Sequence, residues 1–342
     1  MPTAEASAIR WWQALDPPIY LISVLPGAAV LLLAGGSGRF PVHIVTATLA
    51  VVLLQHAINV LNDVSDWRLG ADYEKKVSWA RYHRLNLSRA GAHGYASLLA
   101  GGLLGLVALV RADQLRILAF ATPLVLLGYL YNSGPRPLSY THLGEWVTGL
   151  CYGPGVFGCL WWLTGRGLSL ECAAGSVAFF ALAVSLLLSH QPPQIATDRS
   201  AGKHTFAVRY GATATLRTSR ALFAVFLLST GAAIARARPS PAYVIVFSVS
   251  ALLAAGFVLA RPPAPRRILG SGSAVILGNL LLAMTGTALQ SAGTHLSGAS
   301  FPGTGPIRTA GTLARNGRQS ARPKVPVADG CDCGNNGGHA AP

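Results

Sequence analysis

The chain has 342 residues, of which 51% are hydrophobic and only 11% are charged, and its mean hydropathy is +0.44. A soluble domain usually carries about 25% charged residues, so this composition excludes an ordinary water-soluble protein. The net charge is +15. No basic stripe is interleaved with aromatic residues in a soluble domain, so we predict no nucleic-acid partner.

Nine stretches of the chain lack Asp, Glu, Lys and Arg, and most of them approach the length of a membrane-spanning helix, roughly 20 residues. The first lies between Asp16 and Arg39, and the last between Arg267 and Arg308. We therefore predict an all-α fold, a polytopic bundle of about nine transmembrane helices surrounded by membrane lipids. The first stretch is long and begins at Pro17, so we interpret it as a permanent span rather than a cleaved signal.

The bundle is predicted to be flanked by two other segments. Residues 1–15 form a short lead, residues 16–295 form the transmembrane domain, and residues 296–342 form a tail rich in Gly, Pro, Ser and Arg. Such a composition favours disorder. The tail contains Cys331 and Cys333, but a single C-x-C pair is weak evidence for a metal site.

The distribution of cations predicts the orientation in the membrane. The N-terminus and the even-numbered loops hold 16 Lys and Arg residues, whereas the odd-numbered loops hold 6. Positively charged loops stay on the cytoplasmic side. We therefore expect a cytoplasmic N-terminus in a bacterial-type plasma membrane.

Four of the 12 carboxylates follow the second predicted helix closely: Asp63, Asp66, Asp72 and Glu74. On a helix the first two share a face, because they are three positions apart. Gly70 permits a turn that brings Asp72 back toward them. Carboxylates in such proximity repel each other unless a cation lies between them, and oxygen ligands favour Mg²⁺ or Ca²⁺. The nearby cations are Lys75, Lys76, Arg81, Arg84 and Arg89.

This polar run predicts a diphosphate site, although a solvated loop is the plainer alternative. A second loop repeats the pattern of an amide residue, an aspartate and a glycine 132 positions later. The two sets are Asn62, Asp66 and Gly70, and Gln194, Asp198 and Gly202. Both sets lie at the inner end of an even-numbered helix. The repeat suggests two related halves that face each other across a polar site near the cytoplasmic surface.

Segment 62–72, of the form N-D-x2-D-x3-G-x-D, resembles the first aspartate-rich motif of the UbiA superfamily of intramembrane prenyltransferases. It is closer to the 1,4-dihydroxy-2-naphthoate branch than to the 4-hydroxybenzoate branch, where the last Asp comes two residues earlier. Segments 131–138, 143–145 and 198–211 are also similar to that branch. The resemblance implies an enzyme that transfers a polyprenyl group from polyprenyl diphosphate to an aromatic acceptor with Mg²⁺ as cofactor.

The resemblance, together with the charges of nearby side chains, implies roles for individual residues. The predicted metal ligands are Asn62, Asp63, Asp66, Asp72, Gln194 and Asp198. The predicted diphosphate ligands are Arg136, Arg199, Lys203, Lys75 and Arg84. The predicted catalytic residues are Asp66, Asp198 and His190. Among the diphosphate ligands, Arg136 is assigned only by its charge and loop position.

The second motif departs from the family where this chain has His190 and Gln194, because relatives usually place Asn and Asp there. Gln194 offers a neutral carbonyl oxygen, so the site loses a negative charge and would bind Mg²⁺ more weakly. For His190 three interpretations stay open: a ligand for a different metal, a base, or a hydrogen-bonded structural residue.

Two further functions remain open at this stage. One is a membrane transporter that uses polar residues inside the membrane, although its site would be expected at mid-span rather than at the cytoplasmic ends of helices. The other is a divergent family member that binds a prenyl lipid without turnover. The expected acceptor is 1,4-dihydroxy-2-naphthoate or a similar quinone precursor.

Overall fold

The computed structural model describes residues 9–35, 41–73, 75–134 and 137–297, with side chains as far as residue 285. Several sequence predictions lie outside these residues. They are the positions of Glu74 and Arg136, and nearly all of the predicted tail, including Cys331 and Cys333.

The regular structure of the described residues consists of helices joined by short turns. The α-helices are α1 Trp11–Leu15, α2 Leu21–Ala34, α3 Val42–Leu69, α4 Trp79–Tyr82, α5 Leu87–Arg111, α6 Leu118–Asn132, α7 Gly144–Leu150, α8 Gly158–Trp162, α9 Leu170–His190, α10 Ile195–Ser200, α11 Phe206–Ala237, α12 Pro241–Leu259 and α13 Pro265–Ser297. Single 3₁₀ segments are Pro17–Tyr20, Leu115–Ile117, Leu138–Tyr140 and Pro192–Gln194.

Within the described residues, eight helical segments are long and apolar enough to cross a membrane. The one remaining predicted span, the fifth in chain order, is also a continuous helix, Gly144–Trp162, but it changes type along its length. Its middle is a π-helix, Cys151–Phe157, between α7 and α8. Pro154 lies in that segment and lacks the N–H that an α-helix needs. The predicted all-α membrane bundle is therefore confirmed.

The core of the bundle is built around stacked aromatic rings. Phe157 stacks on Trp161 and on Phe179, with ring centroids 6.2 and 5.4 Å apart, and Phe226 meets Phe179 edge-on at 6.3 Å. All four rings are almost completely buried. They join the composite span to α9 and α11 in one packed core.

The helices pack as two main pairs, α3 with α5 and α9 with α11. The first helix of one pair, α3, contains Asn62 and Asp66 of the first motif, and the first helix of the other pair, α9, precedes the second motif. By contrast, α12 buries only Ala254 and Val258 and exposes Leu252 and Leu253 among other large apolar side chains. Exposed apolar surface of this kind is expected to face lipid.

Gly153 provides a test of the packing between the composite span and α9. A Cβ atom at Gly153 would lie 2.4 Å from the carbonyl oxygen of Ser176, on the backbone of α9. We expect Gly153→Ala to destabilise the fold by about 1–3 kcal/mol, because the helices must separate to admit the methyl group. The measurement is thermal unfolding in detergent. Gly102→Ala is the matched control, since a Cβ there meets no heavy atom within 4 Å; equal stability of both variants would contradict the prediction.

Candidate functional site

The first acidic motif ends α3 in a tight reversal of the chain. Gly70 adopts φ 85°, and the N–H of Ala71 donates to the carbonyl oxygen of Asp66 at 2.9 Å. A left-handed glycine with this hydrogen bond is a common way to end a helix. The reversal leaves Asp66 at the last turn of α3, where the residue as a whole is only 4% exposed.

The second motif ends α10 in the same way. Gly202 adopts φ 74°, and the N–H of Lys203 donates to the carbonyl oxygen of Asp198 at 2.8 Å. Asp198 is 7% exposed. The two motifs therefore share backbone geometry as well as sequence spacing. The residue after the glycine differs: it is Ala71 in the first motif and Lys203 in the second.

Lys203 joins the two motifs. Its Nζ atom lies 3.0 Å from Oδ1 of Asp66 and 4.0 Å from Oδ1 of Asp198. All three side chains are largely buried, with exposures of 11%, 6% and 9% in that order. The structure thus brings the central aspartates of both motifs to one ammonium group, although they are far apart in sequence.

Further donors surround Asp66. The hydroxyl of Tyr140 donates to its Oδ1 atom at 3.1 Å, and Nδ2 of Asn62 donates to its Oδ2 atom at 3.0 Å. The Lys203 ammonium also lies over the Tyr140 ring, 4.8 Å from its centroid. Tyr140 was not among the site residues predicted from the sequence. Its position in the loop after α6 was the only available signal, and that position alone indicates no contact with Asp66.

A second ion-pair group lies beside the first. Lys75 Nζ lies 2.6 Å from Asp63 Oδ1 and 3.1 Å from Asp72 Oδ2. The other oxygen of Asp63 accepts the backbone N–H of Trp79 at 2.7 Å. Both oxygens of Asp63 therefore bind groups in the loop after α3. The Lys75 ammonium is paired with two carboxylates, those of Asp63 and Asp72.

The electrostatics of these groups follow from burial and from their neighbours. Burial raises the pKa of Asp198 above its ordinary value, and the charge of Lys203 opposes that shift. Burial lowers the pKa of Lys75, but Asp63 and Asp72 outweigh it, so the net shift is upward. Burial, together with Asp66, raises the pKa of Tyr140. Its hydroxyl therefore remains a hydrogen-bond donor at neutral pH.

The other predicted cations take less central positions. Arg199 follows Asp198 in the chain but has an exposed side chain on α10. Arg84 is exposed in the loop before α5, with φ 52°. Arg136 lies outside the described residues, so its assignment stays a prediction.

His190 and Gln194, the two departures from the family pattern, contact each other. Gln194 donates from Nε2 to Nε2 of His190 at 3.2 Å. The structural interpretation of His190 gains support from this hydrogen bond, and its catalytic role stays a prediction.

Sequence reasoning missed the polar pair that fixes the second motif to α7. Glu145 is 1% exposed, and its Oε1 atom accepts from Nε2 of Gln191 at 2.5 Å and from the N–H of Phe206 at 2.8 Å. Gln191 also accepts from the N–H of Ala207 at 3.3 Å. Gln191 lies between His190 and Gln194 in the sequence. Only the structure shows that Gln191 bonds to Glu145 and Ala207, whereas His190 and Gln194 bond to each other. Thr205, which immediately precedes Phe206, donates its hydroxyl hydrogen to Oδ2 of Asp198 at 3.4 Å.

The site offers oxygen ligands of the kind that Mg²⁺ prefers. Among the described residues, no three His, Cys, Asp or Glu side chains form a ready-made metal cluster. Mg²⁺ typically takes one or two protein carboxylates and completes its shell with phosphate oxygens and water. Two buried carboxylates that already share one cation, Asp66 and Asp198, fit that requirement.

Comparisons with known proteins agree with this architecture. The sequence profile of the UbiA prenyltransferase family matches residues 21–271. The 2-carboxy-1,4-naphthoquinone phytyltransferase of Synechocystis sp. is 29% identical over 219 residues, which are 61% of this chain and 68% of that protein. The 1,4-dihydroxy-2-naphthoate octaprenyltransferase of Mycobacterium tuberculosis is 30% identical over 231 residues, which are 64% of this chain and 76% of that protein.

A solved structure shares the fold. It is a UbiA homolog from Archaeoglobus fulgidus bound to DMAPP and Mg²⁺, which superimposes with a TM-score of 0.59 at 16% identity and covers 81% of this chain and 99% of that chain. The family profile spans the helices that carry both aspartate motifs. The predicted resemblance is therefore confirmed: this chain belongs to the UbiA prenyltransferase family and is a multi-pass membrane prenyltransferase.

Proposed function

We propose that this enzyme transfers a polyprenyl group from its diphosphate to an aromatic acceptor in an Mg²⁺-dependent reaction. The observation that carries the proposal is the convergence of Asp66 and Asp198 on Lys203. Two carboxylates and an ammonium in one buried site suit a ligand that is itself a metal-bound anion. The donor class follows from the family, and the acceptor class from the names of the naphthoate prenyltransferase relatives.

The residues divide between holding the metal and binding the diphosphate. Asp66 and Asp198 would hold Mg²⁺, one for each motif. The remaining proposed ligands at the two motifs are Asn62, Asp72 and Gln194, with Asp63 as a support. When bound, Mg²⁺ supplies Lewis-acid stabilisation of the leaving diphosphate.

Cationic side chains would bind the phosphates. Lys203 is the best placed, because its ammonium already lies between the two motif aspartates. Arg199, Arg136, Lys75 and Arg84 are the further proposed diphosphate contacts. As the allylic C–O bond breaks, its electron pair leaves with the diphosphate, and positive side chains stabilise the developing charge.

The second half of the reaction joins the prenyl carbon to the acceptor. A pair of ring electrons forms the new C–C bond, and the ring then loses a proton, or CO₂ if the acceptor carries a carboxylate at the reacting carbon. Water would trap the allylic cation, so the site must exclude it. The low exposure of Asp66, Asp198 and Lys203 serves that requirement.

We propose 1,4-dihydroxy-2-naphthoate as the acceptor and the cytoplasmic side as the location of the site. The acceptor follows from the relatives' names and from the motif spacing. The orientation follows from the excess of Lys and Arg in the loops on the N-terminal side of the membrane, since positive loops stay in the cytoplasm.

The experiment uses purified full-length protein in detergent with a radiolabelled polyprenyl diphosphate. One arm contains 1,4-dihydroxy-2-naphthoate and the other 4-hydroxybenzoate, each with Mg²⁺, with EDTA, and with EDTA followed by excess Mg²⁺. We expect prenylated product in the naphthoate arm, its loss with EDTA and its return with Mg²⁺. Product only from 4-hydroxybenzoate would overturn the acceptor, and product from neither acceptor would overturn aromatic prenyl transfer.

Tyr140 provides a smaller test of how Asp66 is oriented. We expect Tyr140→Phe to reduce turnover about 10-fold, because it removes one hydrogen bond to a buried carboxylate and leaves the fold intact. Steady-state rates give the measurement, with thermal unfolding to verify the fold. Tyr95→Phe is the matched control, since its hydroxyl contacts Tyr129 on an exposed face. If both variants turn over like the wild type, Tyr140 does not orient Asp66.

A further inference from the structure

Three buried polar atoms without hydrogen-bond partners lie on the connection from α6 to α7. They are Asn132 Oδ1, Ser139 Oγ and Glu145 Oε2. The other such atoms among the described side chains belong to α11 and α13, away from this connection. Buried polar groups in folded proteins nearly always have a partner, so three exceptions on one short segment of the chain indicate a place where a ligand or water binds.

Glu145 is the member whose position is fixed most firmly. Its Oε1 atom accepts two hydrogen bonds, from Gln191 and from the backbone of Phe206, while Oε2 accepts none from the described residues. The residue is 1% exposed. A carboxylate oxygen buried without a donor is destabilising, so its retention is explained if a bound molecule donates to it.

Ser139 lies directly against the turn that carries Glu145. A Cβ atom placed on Gly144 would be 3.1 Å from Cα of Ser139 and 2.8 Å from the carbonyl oxygen of Leu138. The 3₁₀ turn therefore packs on the first residue of α7 without room for a side chain. The hydroxyl of Ser139 and the free oxygen of Glu145 therefore belong to two packed segments, the 3₁₀ turn and the start of α7, which together are called the wall below.

The same wall borders the proposed diphosphate site. Tyr140 follows Ser139 and donates to Asp66. Phe206, whose N–H donates to Glu145 at 2.8 Å, directly follows Thr205, whose hydroxyl donates to Asp198 at 3.4 Å. The partnerless atoms therefore lie beside the aspartates.

We propose that Glu145 Oε2, with Ser139 Oγ beside it, binds a phenolic hydroxyl group of the aromatic acceptor. This inference rests on the proposed function and names the residues that select the acceptor. A hydroxyl group is the donor that a carboxylate oxygen lacks, and a hydrogen bond to an ionised acceptor is short and strong. It also pushes electron density into the ring, which makes the reacting ring carbon more nucleophilic.

The competing explanation is that Glu145 only fastens α7 to α11. Glu145→Gln separates the two roles. The Gln191 amide and the Phe206 N–H are both donors, so they keep the oxygen of the new amide at the Oε1 position. The amide nitrogen then replaces Oε2 and presents a donor to the acceptor's hydroxyl.

We expect Glu145→Gln to lower kcat/KM for 1,4-dihydroxy-2-naphthoate about 10- to 100-fold, with the KM for polyprenyl diphosphate changed less than about 2-fold. Ser139→Ala, which removes no hydrogen bond among the described residues, is expected to lower kcat/KM for the same acceptor about 3- to 10-fold. Glu171→Gln is the matched control, because Glu171 pairs with Arg236 at 3.3 Å on the surface.

Acceptors with one hydroxyl methylated complete the test. Methylation of the hydroxyl that contacts Glu145 should lower the acceptor kcat/KM more in the wild type than in Glu145→Gln, because the variant has already lost the hydrogen bond to that hydroxyl. Equal losses in both proteins would overturn the inference. So would unchanged acceptor kcat/KM in both Glu145→Gln and Ser139→Ala.

Calorimetric titration of the acceptor into each protein keeps this inference distinct from the proposed function. If the wild type binds 1,4-dihydroxy-2-naphthoate without turnover and Glu145→Gln binds it at least about 10-fold more weakly, the subsite stands and the proposed transfer fails. If the wild type is active and Glu145→Gln binds and turns over equally well, the proposed function stands and the subsite fails. Absence of acceptor binding by the wild type overturns the subsite.

Discussion

Replacing Asp66 with Asn is expected to lower prenyl transfer by at least about 10²-fold while the protein still folds in the membrane. The amide keeps the shape of the carboxylate but removes the negative charge that would hold Mg²⁺. Its oxygen can still accept from Lys203 and Tyr140, and its nitrogen then faces Asn62. The hydrogen bonds that fix the end of α3 therefore largely survive.

The measurement for Asp66→Asn is single-turnover prenyl transfer at saturating Mg²⁺, alongside thermal unfolding in detergent. Asp113→Asn serves as the control, because Asp113 is exposed and has φ 54°, a backbone conformation that Asn tolerates. The control should match the wild type in both measurements. Wild-type turnover by Asp66→Asn would refute the role proposed for this aspartate.

Replacing Lys203 with Met is expected to reduce both activity and stability. The ammonium is the cation that Asp66 and Asp198 share, and both carboxylates are buried. Its removal leaves two like charges in a poorly solvated site, which we expect to destabilise the fold by about 3 kcal/mol. Turnover should fall by at least about 10²-fold, since the positive charge proposed to stabilise the departing diphosphate is lost.

A second substitution separates the two effects of Lys203. Asp198→Asn in the Lys203→Met background removes one of the two like charges, so we expect it to restore most of the stability and none of the activity. Thermal unfolding and turnover are measured for both variants, with Lys76→Met as the exposed control. If Lys203→Met alone is as stable as the wild type, the carboxylates do not depend on this cation.

The placement of Asp66 and Asp198 could be predicted because it depends on local features of the sequence. A helix puts residues three and four apart on one face, and a glycine after the last turn allows the chain to reverse. Gly70 and Gly202 both adopt the left-handed conformation that this requires. The repeat then indicated that two such ends face each other. The roles assigned to the site residues stay predictions.

Contacts between segments far apart in the chain could not be predicted. Tyr140 donates to Asp66, and Gln191 donates to Glu145, yet neither pair has a spacing that helix geometry relates. The long apolar stretch after Glu145 predicted a span but not the π-helix inside it. Helix type there depends on Pro154 and on how closely α9 approaches, and hydropathy reports neither.

The ammonium of Lys203 has a consequence for the order in which ligands enter. A divalent ion that arrived alone would have to displace the ammonium from Asp66 and would leave it only Asp198 as a partner. An ion that arrives together with a diphosphate brings a further anion with it. In the proposed function, cation exchange would therefore be coupled to substrate entry, which would favour the metal–diphosphate complex over the bare ion, and Lys203 would offset one of the two aspartate charges in the empty pocket.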